Sequence, residues 1–529
     1  MSETQGTGTG ADAMDAGVAS ATSSRAKTVN NANAKPVVGG TTSGAQDAPR
    51  VPKRVAAVIL NSLKGGVVPR IGLPYITVGR ETEIQALLQD LELIREGGAS
   101  FRFIVGRYGS GKSFLLQTIR THAMGENFVV ADADLSPERR LAGGQGQGLA
   151  TYRELIRNLS TKTRPEGGAL TLVLDRWARN LLREAEDSGT AIEACFRAQT
   201  APLEEMVHGF DFVRVLRLYL SATQDGDDET RSLVAKWLRG EYRLKSEARA
   251  ELGMTSIIDD ESWYDYIKLL AQFLVGADYD GLLVLIDELV NLSKIPNGVT
   301  RQNNYEKILT MYNDTLQGKA HHLGIIMGGT PAAIEDTRRG VFSYEALRSR
   351  LTQGRFASEG ARDMLAPIIR LNPLTYEELL VLTEKLAQIH AGYYGYESAV
   401  TTDDLVAFLQ IEYGRVGAET HLTPREVIRD FIELLDIAYQ NPEKPVSELL
   451  RNSELIGQGS WETGGSQDGG VIGGGSDQGS GTTGGGATGG GASQDGGSAG
   501  SGGTGTGGGA NQDGGSAGSG GNPYAEFTI

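Results

Sequence analysis

Residues Gly106-Arg107-Tyr108-Gly109-Ser110-Gly111-Lys112-Ser113 fit G-x-x-x-x-G-K-[ST], a pattern in which every fixed position has a task at a phosphate chain. Glycine lets the backbone curl until its N–H groups, and the N-terminus of the helix that follows, face the β-phosphate. Lys112 then reaches the β- and γ-phosphates, and the Ser113 hydroxyl is placed to ligate Mg²⁺. Together with Phe114, these residues form the candidate binding set for ATP.

A second constellation lies far downstream. The apolar run Leu282-Leu283-Val284-Leu285-Ile286 ends in Asp287 and Glu288. Asp287 suits the water shell of Mg²⁺, and Glu288 suits a base that polarises the water attacking the γ-phosphate. The run Leu323 to Met327 leads into Gly328-Gly329-Thr330, where Thr330 could sense the γ-phosphate or simply cap the helix opened by Pro331. Arg338, Arg339, Arg348, Arg350 and Arg355 follow. They read either as a solvated basic face or as a source of a guanidinium that stabilises transition-state charge on a neighbour's nucleotide, with Arg348 and Arg350 the better finger candidates. Thr423-Pro424-Arg425 opens another helix. From there Arg425 either reaches back to the nucleotide or lies on the helix surface.

These groups need a scaffold that brings them to one place. Phe101 to Val105 reads as a buried strand running straight into the glycine loop, and Ser113 to His122 as the helix after it. Phe128 to Ala131, Leu282 to Ile286, Leu323 to Met327 and Ile368 to Leu371 read as further strands, short apolar runs bounded by Gly, Asp or Asn. Helical patterns separate them. Val55 to Leu63 is apolar at helical spacing, as is Glu81 to Glu96 with Ile84, Leu87, Leu88, Leu91 and Ile94 on one face. The block from about Tyr152 to Leu274 is mostly helical and far longer than one crossover needs. Strands alternating with helices imply an α/β fold, a three-layer parallel sheet covered on both faces whose ligands gather at the carboxyl ends of the strands.

The chain has 529 residues and a formal net charge of −16. That charge does not suit a surface that tracks nucleic acid along its whole length, so any DNA contact is expected to be local or made through a partner. One cysteine, Cys195, excludes an internal disulfide and a thiolate metal cluster, and reads as a small core residue in a reducing cytoplasm. The six histidines show no zinc spacing, which leaves Mg²⁺, through Ser113 and Asp287, as the expected metal. No apolar stretch is long enough to span a bilayer and the N-terminus lacks signal-peptide regions. A cytoplasmic protein with no membrane contact is expected.

Composition divides the chain further. Residues 1–50 carry hardly any large apolar side chain and read as disordered. Residues 51–372 read as the P-loop domain, with the helical insertion at about 150–275, and residues 373–453 as a helical lid. Residues 454–521 are Gly/Ser-rich, with the near-duplicates ASQDGGSAGSGG and ANQDGGSAGSGG, and read as a flexible linker. The last residues, 522–529 (NPYAEFTI), read either as a tethered peptide for a partner's groove or as an unselected end.

The order of these motifs resembles the origin-recognition type of AAA+ ATPase: a Val78-Gly79-Arg80-Glu81 box, the phosphate loop, Asp287-Glu288, a sensor strand, arginines and a helical lid. More narrowly, Val68-Pro69-Arg70, Tyr75 to Glu81, the loop Arg107 to Ser113, Tyr344-Glu345-Ala346-Leu347-Arg348 and Leu422-Thr423-Pro424-Arg425-Glu426 resemble the BrxD-type ATP-binding proteins of BREX phage-defence islands. The resemblance implies an AAA+-like fold with Ile76, Val78 and Gly79 bordering the adenine. It also implies a bacterial ATPase that works beside a helicase on DNA, with homo-oligomerisation an open question because the insertion and glycine tail depart from a compact AAA+ pattern. A nucleotide-dependent interaction switch with little turnover uses the same pocket and is the competing expectation. A small-molecule kinase fits the lid and arginine pattern less well.

Overall fold

Strand β1 (Ala99–Val105) alternates its side chains, with Phe101, Phe103 and Val105 on one face and Ile104 on the other, all buried. The strands β2 (Val129–Asp134), β3 (Leu282–Asp287), β4 (Leu323–Gly329) and β5 (Ile368–Arg370) follow the same logic. Both faces of the resulting sheet must therefore be covered. In this computed structural model, residues 51–352, 354–355, 362–415 and 422–451 are described. The sequence-predicted N-terminal tail, glycine linker and terminal peptide lie outside them.

The five strands form one parallel sheet in the order β2-β3-β4-β1-β5. Its register pairs Val105 with Gly329 and Asp134 with Asp287. All the carboxyl ends therefore fall along one edge, and the segments after β1, β3 and β4 emerge side by side although their sequence positions are far apart. This is the expected three-layer α/β P-loop fold.

One face carries the helices Glu81–Arg95 and Lys112–Gly125, which set Leu87, Leu91, Ile94, Leu115 and Ile119 against Ile104, Val130, Leu283 and Ile326. The other face carries the helix Gly298–Leu316 and the insertion. Between β2 and β3 the insertion contains helices from Gln147–Arg157 to Trp263–Gly276. It brings its own aromatic centre, in which Trp237 meets Tyr266 edge-on at 5.4 Å and Trp177 meets Phe273 at 5.4 Å. Cys195 is buried there.

A third core joins distant parts of the chain. Ala56, Ile59, Leu60 and Leu63 of the helix Lys53–Lys64 pack with Leu382, Leu386, Val427, Phe431 and Leu435 of the helices Tyr376–Tyr394 and Pro424–Gln440. Three C-terminal helices, Tyr376–Tyr394, Thr402–Gly414 and Pro424–Gln440, open on a reciprocal capping box: Thr375 with Glu378, Thr401 with Asp404, and Thr423 with Glu426. Each cap fixes a helix start at a value of about 1 kcal/mol.

Strand β2 departs from the sequence expectation because it continues past Ala131 to Asp134. Two aspartates break the apolar run that marks a strand in sequence, but Asp132 is matched by the Arg120 guanidinium at 3.1 Å and Asp134 ends the strand at the open edge. No helix among the described residues is long and apolar enough to cross a membrane.

Candidate functional site

The glycine loop leaves the end of β1 and is tied at once to its neighbour, the Gly106 N–H donating to the Gly329 carbonyl at 3.1 Å. Two glycines are required by geometry. Gly111 has φ +93° at the mouth of the helix Lys112–Gly125, a conformation that side chains rarely adopt. Gly109, at φ +74°, approaches so close to the C-terminal helices that an added Cβ would lie 2.6 Å from Thr423 Oγ1.

Arg80 braces the loop from beneath. Its guanidinium donates to the Ser110 carbonyl at 3.1 Å and the Asn372 carbonyl at 3.0 Å, and lies 3.7 Å from Glu83. Burial lowers its pKa, with Glu83 acting in the opposite direction. Reading the sequence, Val78-Gly79-Arg80-Glu81 carried only a family likeness. A buried arginine needs fixed acceptors, and those of Arg80 come from segments distant in the chain.

Across the sheet edge, the Ser113 hydroxyl donates to Asp287 Oδ2 at 2.9 Å. Asp287 Oδ1 accepts from the Glu288 backbone N–H at 2.8 Å. Glu288 sits at φ +61°, a left-handed conformation that costs a non-glycine residue about 1–2 kcal/mol. The turn is held on its far side by the Leu289 N–H, which donates to the Gly328 carbonyl at 3.1 Å. This hydroxyl–carboxylate pair suits Mg²⁺, which takes one or two protein oxygens and completes its shell with water and phosphate. Among the described residues no group of three or more His, Cys, Asp or Glu is placed to hold a metal by itself.

Lys112 curls back, its ammonium donating to the Arg107 carbonyl at 2.9 Å and standing 5.5 Å over the Tyr108 ring. Burial lowers its pKa, Asp287 and Glu288 oppose that shift, and Arg425 adds to it. Arg425, at the first turn of Pro424–Gln440, therefore faces the same space as Lys112. Asp134 was missed from sequence. Its pKa is raised, first by lost solvation and then by Asp287, Asp132 and Glu288. The edge thus gathers more negative charge than two carboxylates alone supply, and the extension of β2 was the missing signal.

These groups line one cavity with two characters. Its polar end has the loop Tyr108 to Ser113, Asp287, Glu288, Thr330 and Arg425. Its apolar end has Leu63, Val68, Ile76, Val78, Leu382 and Ile428, with Phe114 between. Thr330 caps the short helix Pro331–Ile334 by accepting from the Ala333 N–H at 3.2 Å, which leaves its hydroxyl proton free to point elsewhere. Gly106 and Arg107 are not part of the lining. Gly79 also lies outside it, packed where an added Cβ would come within 2.4 Å of the Glu378 carboxylate.

The downstream arginines are not part of this cavity. Arg348 pairs with Glu345, and Arg350 donates to the Ala346 carbonyl at 2.7 Å, both on the exposed side of the helix Glu345–Leu351. Arg339 is engaged by the Ser293 and Ile295 carbonyls, each at 3.0 Å.

Among solved structures, the chain is similar to the ORC2 protein of Aeropyrum pernix, described in ADPNP–ADP complexes, with 13% identity, 68% of each chain covered and a TM-score of 0.26. No curated protein sequence is matched. A family model described as the BREX system ATP-binding protein BrxC/D matches residues 51–454. The glycine loop, the acidic strand end opposite it and this match over most of the chain together lead to one statement: the protein belongs to the BrxC/D family of BREX ATP-binding proteins.

Proposed function

We propose that the chain binds ATP with Mg²⁺ in this cavity and hydrolyses it, acting with a helicase partner on DNA in phage defence. The observation that carries the hydrolytic part is the position of Glu288. Glu288 directly follows Asp287, which accepts from the Ser113 hydroxyl, and it lines the same cavity as Lys112. Ser113 and Asp287 would hold the metal, whose charge when bound neutralises that of the phosphates. Lys112 would leave the Arg107 carbonyl for the phosphate chain, and Glu288 would take the proton of the attacking water. The apolar end would receive the base, with Ile76 and Val78 against it. Arg425 and the helices of residues 373–453 would act as a lid. The helicase and DNA parts rest on family membership and on the motif resemblance.

A second reading, a nucleotide-dependent switch with slow turnover, is favoured by one observation. Arg348 and Arg350 do not line the cavity of their own chain, so transition-state charge lacks a finger unless another copy supplies it. ATP turnover of the wild-type protein beside Glu288→Gln, with and without single- and double-stranded DNA, separates the two readings. Turnover that rises with DNA and vanishes in the variant supports the ATPase. ATP binding with no turnover under any condition supports the switch.

A further inference from the structure

The helical insertion holds a second cationic cavity, remote from the glycine loop. Arg157, which ends the helix Gln147–Arg157, lies just before Ser160, and Ser160 bridges to Val130 near the start of β2. The nucleotide cavity lies beyond the opposite end of that strand, past Asp134. Arg153, Arg157, Arg239 and Arg243 converge on this second cavity, with Glu241 as the one acidic residue in its lining. Such a concentration of positive charge stands out on a chain whose formal net charge is −16.

The charges are unequally matched. Arg157 pairs with Glu154 at 2.9 Å and Arg239 with Glu241 at 2.8 Å. Arg153 reaches only a backbone carbonyl, that of Gly240, at 2.7 Å. The Arg243 guanidinium has no hydrogen bond or ion pair among the described residues; only its backbone N–H is engaged, by Glu247. Burial lowers the pKa of Arg153 and the Arg243 charge lowers it further, while Glu241 and Asp260 act the other way. Asp260 is already occupied in accepting from the Gly146 and Leu149 N–H groups, at 2.6 and 2.8 Å. Four guanidiniums line the cavity against a single carboxylate, Glu241, which is already paired with Arg239, so like charges outnumber their partners there and an anion bound among them offsets that repulsion. Leu170 and Thr171, which also line the cavity, open the helix Leu170–Ser188, whose N-cap Ala169 supplies no side-chain acceptor, so no capping side chain takes its first N–H groups.

We propose that this cavity is a phosphate-binding site, separate from the nucleotide site, in which Arg153 and Arg243 are the principal ligands. The phosphate group comes either from a nucleic-acid backbone or from a free phosphate, and the arms of the test distinguish them. Full-length wild type, Arg153→Gln/Arg243→Gln and Arg243→Gln alone are titrated with a labelled DNA duplex over a series of salt concentrations, and separately with inorganic pyrophosphate in the presence of saturating ATP. If the source is nucleic acid, the double variant binds the duplex at least about tenfold more weakly and its salt slope falls by about 2. If the source is a free phosphate, the variant loses pyrophosphate binding and the duplex arm is unchanged. Unchanged ATP affinity and Tm show that the fold is intact. Should loss of the Arg153–Gly240 contact unfold the insertion, Arg243→Gln carries the test, because its side chain bonds nothing in the fold. Equal binding of both probes by wild type and variants, or no binding of either probe by wild type, overturns the proposal.

Discussion

The wall of the nucleotide cavity that the sheet supplies and the wall that the helices supply are assembled on different principles. On the sheet side, Lys112, Ser113, Asp287 and Glu288 sit in short local motifs, and parallel pairing of β1, β4 and β3 brings those motifs to one edge. On the helical side, Leu63, Ile76, Leu382 and Ile428 come from segments with no shared motif, held by a core of their own. Polar atoms on the first wall are fixed by hydrogen bonds at defined distances, while the second wall is held by apolar contact, which tolerates change of shape. The contrast implies that damage to the sheet wall affects chemistry or phosphate affinity steeply, and that damage to the helical wall acts through modest shifts in affinity or stability.

The sharpest test is Glu288→Gln, which is expected to keep ATP affinity within about twofold while turnover falls about 10²–10⁴-fold, the range for losing a general base. Equal loss of binding and turnover would move Glu288 out of the chemistry. Lys112→Ala is expected next, with ATP affinity down about a hundredfold for a lost charged hydrogen bond, read by calorimetry. Tight ATP binding by that variant would sink the site assignment. Arg425→Ala belongs to the helical wall and is expected to weaken ATP by only about fivefold, for an edge charge partly screened by solvent. A loss as large as that of Lys112→Ala would show that the helical wall takes part in phosphate binding on equal terms.

The smallest effect concerns stability and pH. Glu412 is buried on the helix Thr402–Gly414, and burial raises its pKa to about 7 despite Arg415 at 2.9 Å, with Asp430 and Glu426 adding to the rise and Arg429 opposing it. The folded state therefore keeps a proton that the unfolded chain has already released. Its contribution to stability is complete below the unfolded carboxylate pKa and is lost as pH rises through about 7. Glu412→Gln is expected to gain on wild type by about 2 °C in Tm at pH 8 relative to acid pH. A Tm difference independent of pH would refute the assignment.

The same contrast explains what could be read from sequence. The loop, the acidic strand end and the sheet were legible because each is a local pattern with a known period or spacing. Asp134 was not, since the apolar run that identifies a strand stops before Asp132, and only pairing with Asp287 shows that β2 continues. The bracing role of Arg80 depends on Asn372, 292 residues away, and no local window contains both. The helix Lys53–Lys64 was visible by its periodicity, yet nothing in that periodicity says that its partners are the C-terminal helices. Gly79, expected at the base, is not among the residues lining the cavity, and with φ +67° it stands where an added Cβ would meet the Glu378 carboxylate, a long-range approach that no local pattern announces.

The ion pair between Lys64 and Asp436 closes a span of 372 residues, and that span has a consequence for the order of events during synthesis. The sheet side of the cavity becomes available once β4 has emerged from the ribosome. The apolar side stays unfinished until the helix Pro424–Gln440 arrives to meet Lys53–Lys64, which must meanwhile wait with Ala56, Ile59 and Leu60 uncovered. Long-range closure of this kind is slow and leaves apolar surface open to wrong contacts. A nucleotide already seated on the loop would favour the closed arrangement by mass action, so the ligand would serve the newborn chain as a folding aid.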